Sequence, residues 1–199
     1  MACSLGKSRY GIKRVEGHYL MRPALVSSWE GARERLSALC YLMSALCLSS
    51  LAGCAGNPQQ HADALAQPTG LKREQVYAKP FLLTAYARIT RIDQAITIYI
   101  EGDGHAWRNR FTASDDPTPR RALGLSLAAA DSSANVVYLA RPCQFTAMAD
   151  NPPCDPTYWT SKRFAPEVIT AIDSAITHYA SRTPGQRIHL VGYSGGGAI

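Results

Sequence analysis

Three short apolar runs, separated by two stretches of helical periodicity, limit the fold of this chain more than any other feature. Residues 95–100 (Ala-Ile-Thr-Ile-Tyr-Ile) are β-branched or aromatic after the first, residues 135–140 (Asn-Val-Val-Tyr-Leu-Ala) are almost continuously apolar, and residues 187–191 form a third run. Such runs read as strands, and one without polar alternation belongs where both faces of a sheet are covered. Between the first two, Thr118-Pro119 opens a predicted helix that runs to about Ala130. Threonine suits its cap, proline suits its first position, and Leu123, Leu127 and Ala130 fall on one side. Between the second and third, Pro166 and Glu167 fall in the first turn of another helix. Ile169, Ile172, Ile176 and Tyr179 make its stripe, and Thr183-Pro184-Gly185 stops it. Strand–helix–strand–helix–strand calls for a parallel sheet with right-handed crossovers. Residues 82–89 supply one more predicted strand ahead of these. The expected class is α/β with a parallel sheet.

The last strand runs straight into Gly192-Tyr193-Ser194-Gly195-Gly196-Gly197. In a strand–turn–helix setting, Gly-x-Ser-x-Gly puts one serine on a turn so tight that its hydroxyl stands alone above the sheet edge. A third helix is expected from Gly195 onward. Gly192-x-Ser194-x-x-Gly197 also reads as a variant dinucleotide-binding turn. That turn, however, belongs after a first strand, with an acidic residue about 20 positions later; here it follows at least three strands. No cofactor is expected. His105 follows the Gly102–Gly104 turn and either faces substrate or is an exposed loop residue. His178 and His189 have no metal-ligand spacing, and no metal is expected.

With these elements in order, the chain resembles the α/β-hydrolase family in its esterase and lipase-like branches. That family carries an oxyanion loop after its third strand, then a helix, a fourth strand, another helix and a nucleophile elbow after its fifth strand. The runs at 95–100, 135–140 and 187–191 match those three strands. Glu101-Gly102-Asp103-Gly104 stands where related enzymes carry a His-Gly-Gly-Gly-like loop, with glutamate for the histidine and aspartate for the middle glycine. The resemblance covers residues 81–199, the first half of such a domain, incomplete at its C-terminal end. Only one strand is visible ahead of the oxyanion strand, where the family usually has two. It implies Ser194 as the nucleophile and the Gly195 N–H as one oxyanion donor, with Asp103 or Gly104 supplying the other. In the family the base histidine and its carboxylate follow the serine. No histidine or carboxylate follows Ser194 here, so neither role is assigned and the 199-residue chain is expected to be poorly stable and catalytically silent.

The formal charge of +6 is concentrated ahead of this domain. Residues 1–53 hold seven Lys/Arg against three Glu, while residues 54–199 hold fourteen against twelve Asp/Glu. The basic balance therefore gives no reason to expect a nucleic-acid partner. Residues 36–48 are uncharged and apolar, with Arg33 and Arg35 just before them, as in a secretory signal peptide. Their exit, Leu51-Ala52-Gly53-Cys54, resembles the lipobox of bacterial lipoproteins. The resemblance implies cleavage before Cys54, lipidation of that cysteine and anchoring in the cell envelope, with Ala55 favouring the outer membrane. Met21 is a candidate start, giving a leader of 33 residues. Residues 54–80 are polar and small and are expected to be a flexible tether. Beyond the leader and Cys54, only Cys143 and Cys154 remain. In an oxidising compartment they are expected to bond, closing a loop worth about 3 kcal/mol.

The expected function is hydrolysis of a small-molecule or lipid ester by a membrane-anchored serine enzyme. A noncatalytic envelope lipoprotein with a hydrolase-like shell is the alternative from another functional class.

Overall fold

The structure is a computed structural model that describes residues 56–199. Cys54 and the leader at 1–53 lie outside them. The described chain forms α1 (Pro58–Ala66), β1 (Lys72–Ala78), β2 (Phe81–Ile89), β3 (Ile96–Ile100), α2 (Leu123–Ala130), β4 (Asn135–Leu139), α3 (Pro166–Ala180) and β5 (Ile188–Gly192). A short 3-10 turn over Ser194–Ala198 stands where a third helix was expected.

The five strands make one sheet in the order β1-β2-β4-β3-β5. β3 pairs in parallel with β4 and with β5, as the crossover pattern predicts. The sheet as a whole is mixed, which corrects the parallel expectation. β1 and β2 pair antiparallel because only Lys79-Pro80 separates them, and β2 then meets β4 antiparallel. A two-residue connection permits a hairpin, whereas a parallel pair needs a crossover of a dozen residues or more.

Alternate residues of the central strands feed two cores. Val137 and Leu139 of β4 join Ile96, Ile98 and Ile100 of β3 under α3. Val136 and Tyr138 face the other way, toward α2 and α1. This accounts for the unbroken apolar run of β4, whose residues are all buried.

Both long-range helices differ from the sequence pattern in detail. In α3 the buried face is Val168, Ala171, Ile172, Ala175 and Tyr179, rotated from the expected stripe so that Ile169 is exposed and Ile176 only partly covered. Alanines at 171 and 175 give this face small, fully buried residues beside Ile172. α2 starts at Leu123, not at Thr118, and buries Gly124, Leu125 and Ala128 while Leu123 and Leu127 are exposed. Thr118 is committed elsewhere: its N–H donates to Asp116 Oδ1 (2.8 Å) and its Oγ1 accepts from the Phe145 N–H (2.9 Å).

The expected tether is folded over most of its length. Asn57 caps α1 by accepting the Gln59 N–H (2.9 Å), with Pro58 at the first helical position. Ala62, Ala66, Leu71, Val76 and Ala78 are buried. Tyr86 of β2 donates its hydroxyl to Asp63 (2.6 Å), tying α1 to the sheet, and burial with this carboxylate pushes the phenol's pKa well up. The polar look of β1 is that of an edge strand, where Lys72, Arg73 and Glu74 suit an unpaired side.

Asn135, fully buried at the start of β4, ties down the link between β2 and β3. Its Oδ1 accepts from the N–H groups of Thr90 and Arg91, and its Nδ2 donates to the carbonyls of Arg91, Gln94 and Ala95.

Cys143 and Cys154 are bonded, with Cα atoms 5.7 Å apart. The loop they close follows β4, and within it the Phe145 carbonyl accepts from Thr84 Oγ1 (2.9 Å) and Arg73 Nη2 (3.1 Å). Replacing both cysteines by serine is expected to lower stability by about 3 kcal/mol, read as a shifted denaturant midpoint at unchanged slope. An unshifted midpoint would show that the loop is held by its hydrogen bonds alone.

Candidate active site

From β3 the chain turns through α2 to β4 on one side, while β5 lies on β3's other side. The loops leaving the carboxyl ends of these neighbouring strands flank one crevice. It is a cleft of about 280 Å³ whose lining includes Glu101, Asp103, Gly104, Arg120, Tyr193 and Ser194.

The serine turn is built by close backbone contact. The Tyr193 N–H donates to the Ile100 carbonyl (3.0 Å) and the Gly196 N–H to the Tyr193 carbonyl (2.8 Å). A Cβ on Gly196 would lie 2.5 Å from the carbonyl oxygens of Ile100 and Glu101, and one on Gly192 would collide with the backbone of Gly196. Side chains at these two positions would push the turn off the end of β3. Ser194 itself has φ +48° and is exposed. Left-handed backbone at a non-glycine residue is uncommon, and it persists where the surroundings over-determine it.

The β3 exit loop packs beside this serine. A Cβ on Gly102 would stand 3.1 Å from Ser194 Cβ. Within the loop, the Gly102 N–H donates to Glu101 Oε1 (2.9 Å) and the His105 N–H to the Pro117 carbonyl (2.8 Å). The N–H groups of Asp103 and Gly104 have no such partner among the described residues. Asp103, Gly104 and Ser194 thus line one cleft, and the Asp103 carboxylate lies against Gly195.

Several supporting residues escaped the sequence reading. The Asp103 carboxylate meets Arg141 Nη1 (3.3 Å) and Arg163 Nε (3.5 Å). Arg141 is buried and also donates to the Arg163 carbonyl, while its Nε has no partner; burial pulls its pKa down. Gln144, beside the disulfide, donates Nε2 to the Gly102 carbonyl (3.0 Å). Nothing in the sequence pattern joins Arg141 to Asp103.

Glu101, the first residue of the β3 exit loop, faces inward. Its carboxylate accepts from the Gly124 N–H (3.1 Å) and the Tyr138 hydroxyl (3.2 Å), capping α2 from outside the helix. This explains why Ala122, which has no capping side chain, can start that helix. Burial raises the Glu101 pKa from its ordinary 4.5, and the hydrogen bonds only partly oppose it.

His105 lines the cleft, while His178 and His189 are exposed away from it. Among the described residues, no group of three or more His, Cys, Asp or Glu side chains is placed to hold a metal ion. Comparison with protein-family models, with curated proteins and with solved structures finds no match to this chain.

The raised Glu101 pKa has a signed consequence. A carboxyl that binds its proton more tightly when folded stabilises the fold below its unfolded pKa and loses that contribution as pH rises through the folded value. Wild type is therefore expected to lose stability relative to Glu101→Gln as pH rises above the ordinary carboxylate range, through the raised folded-state value. Urea midpoints of the two proteins check this; parallel profiles would contradict it.

Proposed function

We propose that this chain is a serine hydrolase of the α/β-hydrolase type, acting on carboxylic esters with Ser194 as nucleophile. The observation that carries the reading is Ser194 at φ +48° on the turn after β5, at the mouth of a cleft shared with the β3 exit loop. β1 and β2 add support, because the family carries two strands ahead of its oxyanion strand.

In this reading Ser194 Oγ bonds to the ester carbonyl carbon as a base takes its proton, and the carbonyl electron pair moves onto oxygen. The N–H of Gly195 and that of Asp103 or Gly104 hold the oxyanion. The alcohol leaves with a proton, and water repeats the attack to release the acid. The base histidine and its carboxylate belong after the serine in the family's order, so no residue up to Ser194 is given either role. The lipobox reading adds an anchor at Cys54 in the bacterial envelope; the hydrolase reading takes a small-molecule or lipid ester as substrate.

Two measurements test this. In a chain that also carries the downstream carboxylate and histidine, Ser194→Ala is expected to cut turnover of para-nitrophenyl acetate about a thousandfold or more while leaving the melting curve unchanged. Full activity in that variant would remove Ser194 from the chemistry. Intact mass of the exported protein is expected to show an acylated N-terminal Cys54, with Cys54→Ser left as precursor; an unmodified cysteine or another cleavage site would reject the anchor.

A further inference from the structure

Residues 106–114, between β3 and α2, form a closed loop with ordered limbs. The Ser114 N–H donates to the Ala106 carbonyl (3.0 Å) and the Arg108 N–H to the Thr112 carbonyl (2.9 Å), with Trp107 bridged to Ala113. Asn109 Oδ1 closes the tip by accepting from the N–H groups of Phe111 (2.9 Å) and Thr112 (3.0 Å). At the base, the Trp159 indole N–H donates to the Ser114 carbonyl (3.1 Å).

This ordered tip holds its largest apolar side chains in the open. Phe111 is 83% exposed and Trp107 50% exposed. The Arg110 guanidinium lies 5.4 Å from the centre of the Phe111 ring, and Arg108 pairs with Asp115 at the surface. Keeping two aromatic rings in water costs free energy that a covering surface would recover. Aromatic rings interleaved with arginines suit the headgroup zone of a bilayer, where apolar bodies meet hydrocarbon and guanidinium groups meet phosphate.

A second observation concerns where a lipid anchor would pull. Asn57, the cap of α1, is three residues after Cys54, so the covalent reach is at most about 10 Å. Asn57 and Pro58 line one groove with Asp116 and Thr118, just past the returning limb of the loop. An acylated Cys54 would hold this side of the domain to the membrane, not lift it away.

We propose that residues 106–114 dock on an anionic lipid bilayer. Trp107 and Phe111 seat among the headgroups, and Arg108 and Arg110 lie on their phosphates. Trp107 shares a second cleft, of about 420 Å³, with Asp103 and His105, so docking brings the Ser194 region to the membrane surface. The direction of the anchor's pull rests on the lipobox reading; the loop's own chemistry does not. Neither depends on turnover at Ser194.

The test reconstitutes the full chain in phosphatidylethanolamine–phosphatidylglycerol vesicles with acyl chains brominated near the headgroup. Tryptophan emission is read in wild type, Trp107→Phe and Phe111→Ser. Quenching is expected in wild type, with its Trp107 component lost in both variants while their melting curves match wild type. Arg108→Gln with Arg110→Gln is expected to weaken docking roughly fivefold for each arginine, as is replacing phosphatidylglycerol by phosphatidylcholine. Equal quenching in wild type and Trp107→Phe would overturn the proposal. So would protection of Trp107 only when other envelope proteins are present, which would mean a protein partner. Intact mass of the same preparation separates the two readings. An acylated Cys54 with unquenched Trp107 defeats the loop inference alone; an unmodified Cys54 with quenched Trp107 defeats the lipobox alone.

Discussion

Gly196 resting on the carbonyls of Ile100 and Glu101 is the contact on which the rest of the cleft depends. With the turn seated there, the chain after β5 is bent back over the end of β3, and Ser194 takes a left-handed backbone that few residues adopt. The same contact fixes the gap into which the β3 exit loop must fit, so Gly102 passes within contact distance of Ser194. The serine turn and the exit loop beside it are thus brought together by a backbone-to-backbone approach.

The charges around that contact are arranged in two separate ways. Glu101 is drawn inward and satisfied by a helix start and a phenol, in surroundings that favour its neutral form. Asp103, two residues on, stays partly exposed between Arg141 and Arg163. Each acid of the exit loop is therefore occupied, one by burial and hydrogen bonds and one by guanidinium groups. Through Arg141 and Gln144, the loop after β4 holds the exit loop from below, so the disulfide-closed segment acts as its floor.

Much of this was legible in the sequence, for definable reasons. The β-branched runs of β3 and β4 and the Gly-rich exit of β5 are strong local signals, and all three strands lie within a residue of their expected bounds. The Cys143–Cys154 pair followed from elimination. What the sequence hid was structure stabilised from a distance. α1 buries only alanines, so its periodicity is faint, and β1 looks polar because it is an edge. The start of α2 depends on Glu101, a residue over twenty positions away, and the local Thr118-Pro119 signal was a false cap. The network of Arg141 with Asp103 has no local pattern at all.

Asn135 carries a consequence of another kind. Its buried amide meets five backbone groups, two as acceptor and three as donor. Aspartate keeps the acceptor and loses every donor, glutamine places the amide a methylene too far, and leucine leaves the partners orphaned. The position has an alphabet of one letter. Substitution there would be rejected as strongly as at a catalytic centre, although the residue touches nothing in the cleft. A residue's intolerance of change in this chain therefore records, at Asn135, the grammar of a turn and says nothing about chemistry.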